Sequence, residues 1–308
     1  MSTKLARPHV IVVAKRSQLA RLHEGLLDAR AQRLIRTGHE AVKKWIPAHD
    51  EHERTLETVM QKLERLGANV LLLRGASAAF DPAGTELIVT VGGDGTLLAA
   101  SHSIADLPVL GVNSAPRYSV GFFCAAKPRT VGRMLARALE GNLPHMELAR
   151  MQVTVGGQVR AKRVLNEALF CHKQPAATSS YVLKVGRKRE EQKSSGLWIG
   201  PAAGSTAALL SAGAKVLPLT STDLQYIVRE PYIGDGRLYR LVYGKLTSRQ
   251  ELVLVSKMDQ GAVYLDGPYR VLPVKLGEDV RFSLSDEPLR VLGLSERARF
   301  AGRKPPKR

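Results

Sequence analysis

The sequence has few of the features that stabilise secreted or membrane proteins. It contains only two cysteines among 308 residues, Cys124 and Cys171, and neither belongs to a CxxC pair. A disulfide framework is therefore not expected, and a reducing compartment is the simplest setting. No apolar run approaches the roughly 20 residues that span a bilayer, and the apolar stretch at 10–14 is too short for the core of a signal peptide. With no transit peptide evident, these observations favour a soluble, cytoplasmic protein without a membrane partner.

Aromatic and acidic residues are also scarce. Aromatics make up 5% of the chain, and 28 acidic side chains stand against 46 lysines and arginines, for a formal net charge of +18. A basic surface attracts polyanions such as nucleotides, polyphosphate or nucleic acid. Because no pattern of interleaved basic and aromatic residues is present, nucleic-acid binding is disfavoured. A generally basic surface and the attraction of a phosphate-bearing substrate remain as explanations. The densest basic cluster is the tail 297–308, whose prolines are typical of a frayed end.

Three common catalytic motifs are missing: the GK[ST] of a P-loop, the GxGxxG of a dinucleotide fold and the GxSxG of a serine hydrolase. In their place an apolar strand at 87–91 runs into a glycine-rich turn and then a helix. The turn consists of Gly92, Gly93, Asp94, Gly95 and Thr96. Glycines let the backbone approach a phosphate, and the free amides of a helix start favour negative charge.

The unusual element of this turn is its acid, Asp94. A carboxylate beside phosphates can take the proton from an attacking hydroxyl or hold the Mg²⁺ that bridges the phosphates. The alternative is a tight turn in which Asp94 only caps the helix. The coincidence of strand, glycines, acid and Thr96 favours a phosphate site.

The first half of the chain alternates strands with helices. Strands are predicted at 10–14, 70–73, 87–91 and 109–112. Helices are predicted in a polar stretch through about residue 37 and at 50–66, 97–104 and 130–139. This alternation predicts an α/β domain with a parallel sheet and helices on its faces.

The second half has a different pattern, with short alternating or apolar runs broken by Gly, Asp or Pro. Strands are predicted at 151–155, 163–170, 181–185, 197–199, 237–243, 251–255, 262–265 and 280–284. The runs predict a β-rich second domain. No linker separates it from the first, so a cleft between the two is the expected ligand site.

Residues 194–213 form the second candidate ligand segment. A short apolar strand leads into a run of residues without a large side chain, which leaves room for a flat ligand against the backbone. Ser205 and Thr206 add hydroxyl groups there. A tightly packed turn without a ligand is the alternative.

Two dipeptides complete the set of candidates. Asn166 can hydrogen-bond an adenine or carboxamide edge, and Glu167 can accept from ribose hydroxyls. Asp266 and Gly267 follow the apolar run 262–265, where a plain hairpin turn would explain them equally well.

In this order, the motifs resemble those of the NAD kinase family over about residues 8–270. GGDGT at 92–96 resembles its glycine-rich turn, 166–167 its Asn-Glu pair, 204–207 and 211–213 its GSTA…SAG stretch, and 266–267 its Asp-Gly. GGDGT alone is shared with lipid kinases, whereas the ordered set is more specific. The segments 111–124 and 191–197 are similar to the mitochondrial-type branch.

The resemblance implies an α/β N-terminal domain at 1–145 and a β-sandwich-like, dinucleotide-binding domain at 146–272, with segment 273–308 returning to the first domain. It implies transfer of the ATP γ-phosphoryl group to the 2′-hydroxyl of the adenosine ribose of NAD, with Mg²⁺ as cofactor, in a homodimer or homotetramer. Asp94 would be the general base. The residues around the phosphates would be Gly92, Gly93, Gly95 and Thr96. The NAD-binding residues would be Asn113, Asn166, Glu167, Ser205, Thr206, Ala207, Ser211 and Asp266.

Two positions and one short segment depart from the family pattern. Ala208 stands where the family has an aromatic residue, Ser195 replaces an aspartate, and residues 200–203 replace a Thr-Pro-Thr run. Loss of an aromatic wall weakens NAD binding or marks another acceptor. Two alternatives therefore stay open: a kinase of a lipid or other nucleoside-type alcohol, and a non-catalytic protein that binds nucleotides or nucleic acid.

Overall fold

The computed structural model describes residues 7–25, 29–75, 79–234, 236 and 238–296. The chain forms two units, one of Met1–Met146 with Arg290–Arg308 and one of Glu147–Leu289. The first division falls one residue beyond the expected end at 145. The second unit continues past the expected end at 272, because strands at 270–274 and 279–284 pair within its sheets. The basic tail 297–308 lies outside the described residues.

The described residues form the following strands and helices. The strands are β1 His9–Ala14, β2 Asn69–Arg74, β3 Leu87–Gly92, β4 Val109–Asn113, β5 His145–Leu148, β6 Met151–Val155, β7 Gln158–Val164, β8 Ala168–His172, β9 Ser179–Val185, β10 Lys188–Ser194, β11 Gly196–Pro201, β12 Leu224–Arg229, β13 Tyr243–Leu246, β14 Leu252–Ser256, β15 Gly261–Leu265, β16 Arg270–Val274, β17 Asp279–Leu284 and β18 Leu289–Leu292. The helices are α1 Gln18–His23, α2 Ala29–Arg36, α3 Trp45–Arg65, α4 Asp94–Ser101, α5 Val131–Leu139 and α6 Ala208–Ser211, with a 3₁₀ helix at Ala202–Thr206.

The first unit is built on a six-stranded sheet of order β2-β1-β3-β4-β18-β5. Strands β2, β1, β3, β4 and β18 are parallel. Every residue of β3 and β4 is buried, as expected for inner strands of a parallel sheet covered on both faces. Helix α3 packs against the same core through Leu56, Val59 and Leu63, whose spacing places them on one helical face.

The strand order reverses between β1 and β3, since β2 flanks β1 on one side and β3 on the other. Ligands of open α/β sheets bind outside the carboxyl ends of the strands at such a switch point. The glycine-rich turn follows β3 directly, so the sheet topology places it at the switch point.

The second unit contains two antiparallel sheets. The β9 sheet has the order β10-β9-β14-β17-β6-β7, and the β11 sheet has the order β13-β12-β11-β8-β15-β16. Their inner faces form one core, where the Phe170 ring of the β11 sheet meets the Tyr181 ring of the β9 sheet edge-on at 5.5 Å between centroids. The predicted α/β domain and β-sandwich-like domain are thus confirmed.

Two predicted strands are wrong. The run 163–170 is not continuous, because the chain leaves β7 at Val164 and enters β8 only at Ala168. The run 237–243 is not a strand over its described residues, because β13 begins at Tyr243. The break at 165–167 has a side-chain cause, because the carboxylate of Asp266 accepts hydrogen bonds from the N–H groups of these residues.

Neither cysteine forms a disulfide bond in the structure. Cys124 and Cys171 are both buried free thiols, and burial raises the pKa of each. Within the described ranges, no helix combines the length and apolarity needed to cross a bilayer.

Candidate active site

The three glycines of the 92–96 turn differ in why a side chain is absent at their positions. A Cβ on Gly92 would lie 2.1 Å from Thr96 Oγ1, and one on Gly93 would lie 2.3 Å from Ser119 Oγ. A Cβ on Gly95 would meet nothing within 4 Å. The first two glycines therefore permit close packing inside the first unit. Gly95 has no internal packing partner and leaves the backbone open on the exposed side of the turn.

Asp94 is the first residue of α4, with Gly93 as its extended N-cap. Its Oδ1 accepts a hydrogen bond of 2.7 Å from the backbone N–H of Phe123. The helix start also favours its negative charge. The second carboxylate oxygen hydrogen-bonds to no described residue, so one oxygen is anchored while the other remains available for a proton or a metal ion.

The loop after β4 is held by a buried polar network. Asn113 is buried, and its Nδ2 donates to the carbonyl oxygen of Ser119 at 3.0 Å, while its Oδ1 meets no partner among the described residues. The Ser114 hydroxyl lies 2.8 Å from Nδ1 of His52, and Thr55 Oγ1 donates to the Ser114 carbonyl at 2.8 Å. Burial lowers the pKa of His52. The network joins α3 to the loop that carries Phe123, the partner of Asp94.

Lys15 is a candidate that the sequence reasoning missed. It directly follows β1, and its backbone N–H donates to the carbonyl of Val91 at 2.8 Å. Its Cβ lies 3.0 Å from the position that a Cβ on Gly92 would take. No described carboxylate forms an ion pair with its ammonium group. The signal was a lysine at the carboxyl end of a buried first strand, beside the switch point.

In the second unit, Asp266 shapes the Asn166–Glu167 turn. Its carboxylate accepts hydrogen bonds from three successive backbone amides, those of Leu165 at 3.0 Å, Asn166 at 2.7 Å and Glu167 at 3.2 Å. Its own N–H donates to the Glu167 carbonyl at 2.9 Å. Because these amides turn towards a carboxylate, they do not continue the strand ladder, which explains the break between β7 and β8. The hairpin turn after β15 thus has a second role, as a clamp on residues 165–167.

The small-residue segment packs against the same turn. A Cβ on Gly204 would lie 1.6 Å from the carbonyl oxygen of Asn166, and one on Gly200 would lie 2.4 Å from it. Any side chain at either position would push the two segments apart. Three of the predicted elements, at 166–167, 200–206 and 266, therefore meet at one place.

The hydroxyl groups of this segment differ in availability. Ser205 is fully buried, where its Oγ donates to a backbone carbonyl at 2.7 Å and accepts from the N–H of Leu217 at 3.0 Å. Both hydrogen bonds of the Ser205 hydroxyl are thus made within the protein and stabilise the fold. Thr206 and Ala207 are half-buried, and Ser211 is exposed with its Oγ 3.4 Å from the Ala207 carbonyl. Thr206 and Ser211 are thus less buried than Ser205.

Glu167 combines burial with an open carboxylate oxygen. Its side chain is 9% exposed, and its Oε2 has no partner within the described part of the chain. Burial, followed by the negative charge of Asp266, raises the pKa of Glu167 to about 7, while hydrogen bonds from Asn166 and the Ala208 backbone oppose the shift. Glu167 also lines a cavity of about 390 Å³ within the second unit.

Comparison with known proteins places the chain in a family. Residues 10–143 match the family described as ATP-NAD kinase N-terminal domain. The chain is 32% identical to a probable NADH kinase of rice (Oryza sativa subsp. japonica) over 260 residues, which cover 77% of this chain and 80% of that protein. The chain belongs to the NAD kinase family. It is also 36% identical to an NADH kinase of Arabidopsis thaliana over 227 residues, which cover 66% of this chain and 71% of that protein.

A solved NAD kinase shares the fold. The crystal structure of the NAD kinase from Archaeoglobus fulgidus in complex with ATP superposes with a TM-score of 0.66 over 95% of this chain and 96% of that one, at 18% identity. At that identity the likeness concerns the fold alone.

The departures from the NAD kinase pattern have definite places in the second unit. Ala208 begins α6, and its backbone N–H supports the carboxylate of Glu167. Ser195 lies between β10 and β11, where its N–H donates to the Arg229 carbonyl at 3.0 Å and its side chain lines the 390 Å³ cavity. Two of the family's usual side chains are therefore replaced by small ones next to residues that the motifs implicate.

Proposed function

We propose that this chain is an NAD kinase, which transfers the γ-phosphoryl group of ATP to the 2′-hydroxyl of the adenosine ribose of NAD and so produces NADP. The observation that carries the proposal is the turn of two packed glycines, Asp94 and the open Gly95 at the switch point of the parallel sheet. The two plant relatives are named for NADH, which carries the same adenosine ribose. NADH is therefore a second acceptor to be measured beside NAD.

The free oxygen of Asp94 acts as the general base. It takes the proton of the 2′-hydroxyl as that oxygen attacks the γ-phosphorus, and the bond from the γ-phosphorus to the bridging oxygen of ADP breaks. The proton then passes from Asp94 to solvent. The hydrogen bond from Phe123 keeps the carboxylate in one orientation throughout. Such proton transfer contributes roughly 10²–10⁴-fold to a rate.

The exposed side of the 92–96 turn would bind the phosphates of ATP. The N–H groups of Asp94 and Gly95 stand at the start of α4, where a helix favours anions, and Lys15 adds a positive charge beside Gly92. Thr96, buried against Gly92, maintains the turn that presents these groups. The arrangement cradles phosphate without the lysine position of a P-loop.

The turn also fits Mg²⁺. This ion usually binds through one or two carboxylates together with substrate phosphates, and the turn offers the single carboxylate of Asp94. Because the free oxygen of Asp94 is assigned as the general base, Mg²⁺ would be held mainly by the ATP phosphates, and Asp94 would be a ligand only in place of that role. When bound, it neutralises charge on the transferred group.

Most of the residues assigned to the acceptor lie in the second unit. Asn166 and Glu167 would hold the dinucleotide through its amide and ribose groups, since both are presented by the turn that Asp266 clamps. The remaining residues assigned to the acceptor are Thr206, Ala207 and Ser211 of the second unit and Asn113 of the first unit. Ser205 and Asp266 support this site through the backbone contacts that they already make.

We further propose a homodimer or homotetramer located in the cytoplasm. The resemblance to the NAD kinase family supports the assembly, and the scarcity of cysteine supports the reducing location. Sedimentation equilibrium of the purified protein measures the assembly directly, and a monomer at micromolar concentration would contradict it.

The decisive test compares NADP formation by the wild type and by Asp94→Asn with ATP, Mg²⁺ and NAD. Asparagine can still accept the Phe123 hydrogen bond, so the fold is kept while the base is lost. We expect kcat to fall roughly 10²–10⁴-fold. The matched control is Asp106→Asn, an exposed aspartate beyond the end of α4, which we expect to leave kcat within about twofold.

Two results would contradict the proposal in different ways. Full activity of Asp94→Asn would show that Asp94 is not the general base. If the wild type consumes ATP with a lipid or another nucleoside-type alcohol but forms neither NADP nor NADPH, phosphoryl transfer stands and the acceptor is wrong. The small residue at Ala208 makes the second comparison worth running with several acceptors.

A further inference from the structure

An apolar row crosses the outward face of the β11 sheet. Along these strands, alternate residues enter the sandwich core, including Leu197 and Ile199 of β11, so the residues between them face away from it. Trp198 is paired with Leu169 of β8 and with Ile227 of β12, and Leu169 is paired with Tyr264 of β15. The row Tyr264–Leu169–Trp198–Ile227 therefore runs over four neighbouring strands, and each member is half-buried.

The 390 Å³ cavity lies on this row. Leu169, Trp198 and Tyr264 line it with apolar surface, and Glu167 lines it too. The volume lies in the range of small-molecule sites, roughly 300–1,000 Å³. A mostly apolar lining with a few polar groups is the usual composition of such a site.

The charges around the cavity suit a dinucleotide. Lys173 and Arg229 line it, and the Arg229 guanidinium lies 5.8 Å from the centroid of the Trp198 ring. Two cations beside an aromatic ring match a ligand with a flat ring next to a pyrophosphate. The open oxygen of Glu167 can accept from ribose hydroxyls.

We propose that Trp198 is the stacking residue for a flat ring of the dinucleotide, in place of the aromatic residue that the family carries at position 208. The inference rests on the proposed function and names the wall of its acceptor site. Position 208 holds alanine, whose side chain cannot stack, whereas Trp198 brings a large ring to the outward face beside Glu167. The chain thus keeps an aromatic contact for the acceptor but takes it from strand β11.

The chain offers a direct probe, because Trp45 and Trp198 are its only tryptophans. The variant Trp45→Phe leaves Trp198 as the sole indole, and titration with NAD should quench its fluorescence to saturation. The matched variant Trp198→Phe leaves Trp45, in the first unit, and should show no saturable quenching by NAD in the absence of ATP. Titrations with AMP and with nicotinamide mononucleotide show which ring of the dinucleotide stacks.

Steady-state kinetics supply the second readout. Trp198→Ala should raise the KM for NAD roughly 5- to 100-fold, the range for loss of a base stacked on an aromatic side chain. Its KM for ATP and its kcat should stay within about twofold, since a uniform binding contact is lost. Trp198→Phe keeps a ring and should recover most of the affinity.

The proposal falls if NAD leaves Trp198 fluorescence unchanged in the Trp45→Phe protein. It also falls if Trp198→Ala lowers the sedimentation coefficient with an unchanged KM for NAD, since the row would then be covered by a second copy of the chain. Should Trp198→Ala fail to fold, the fluorescence titration decides alone. NAD quenching without any NADP formation would leave the stacking site intact and overturn only the proposed function.

Discussion

Ionisation of a carboxyl group that is buried beside another carboxylate destabilises the folded state. Glu167 is such a group, since it is buried near Asp266. Its pKa rises from an ordinary value of 4.5 to about 7, first through burial and then through the charge of Asp266. The folded state therefore binds a proton that the unfolded state releases between these two values. Stability must fall as pH rises through this window, because the folded state is then forced to hold the charge.

We expect Glu167→Gln to remove the loss of stability that the wild type shows as the pH rises, because glutamine carries no charge. Near pH 4.5 the wild-type side chain is neutral and resembles glutamine, whereas at about pH 8 it is charged and buried. The free energy of unfolding of Glu167→Gln relative to wild type should therefore increase by about 3 kcal/mol from low to high pH. Urea denaturation at several pH values measures it. A difference that does not change with pH would show that Glu167 titrates normally.

Single residues also show how much of the candidate site can be predicted from the sequence alone. The sequence predicts a functional role for Asp94 because strand, glycines and acid are contiguous. The role of Asp266 was not predictable in this way, because the three amides that it binds lie about a hundred residues earlier in the chain. Lys15 was passed over because a lysine after one strand has meaning only once the order of the sheet is known.

At the scale of elements, the start of α4 shows that glycines in one turn are not equivalent. Gly92 and Gly93 are enclosed by Thr96 and Ser119, but Gly95 is exposed with free space where a Cβ would stand. Alanine is the better helix former, by roughly 0.8–1.0 kcal/mol. The fold itself therefore gives no reason for glycine at 95, which points to the close approach of a phosphate.

We expect Gly95→Ala to be at least as stable as the wild type and yet to bind ATP poorly. The added methyl group should raise the KM for ATP roughly tenfold or more, because it keeps phosphate oxygens from the amides of the helix start. Thermal unfolding and ATP kinetics measure the two effects. Gly93→Ala is the contrasting control, since it should lose stability through its contact with Ser119. Unchanged ATP kinetics in Gly95→Ala would contradict a phosphate at this turn.

Elements inside the sheets were easier to predict than those at the edges. Strands β1, β3 and β4 are buried apolar runs, and their bounds were predicted within one residue. Strand β10 was missed, because it lies at the edge of its sheet and reads KREEQKS. An edge strand needs no apolar side chains on its exposed face, and charge protects it from pairing with other chains. Its pattern is then hard to distinguish from a polar loop.

At the scale of the whole molecule, the first unit is discontinuous in sequence. Strand β18 lies between β4 and β5 in the parallel sheet, although it is formed by Leu289–Leu292. Val291 is fully buried there and pairs with Val109 of β4. The return of the chain was anticipated only from the family resemblance, since a four-residue apolar run carries little periodic signal of its own.

We expect Val291→Ala to destabilise the first unit by about 2 kcal/mol, through lost burial and the cavity left behind. In a Trp198→Phe background, urea unfolding followed by Trp45 fluorescence reports on that unit. The same substitution at Val120, a residue of the first unit that is 62% exposed, should change stability by less than about 0.5 kcal/mol. Equal effects at the two positions would show that β18 is not an integral part of the sheet.

The position of β18 also sets the order of events on the ribosome. Synthesis proceeds from the N-terminus, and domains generally fold as units as they emerge. Here β4 lacks its neighbour until residues 289–292 have been made, after the entire second unit. During that interval the nascent chain presents an open strand edge that invites pairing with other chains. The first unit, although encoded first, is the last of the two to be completed.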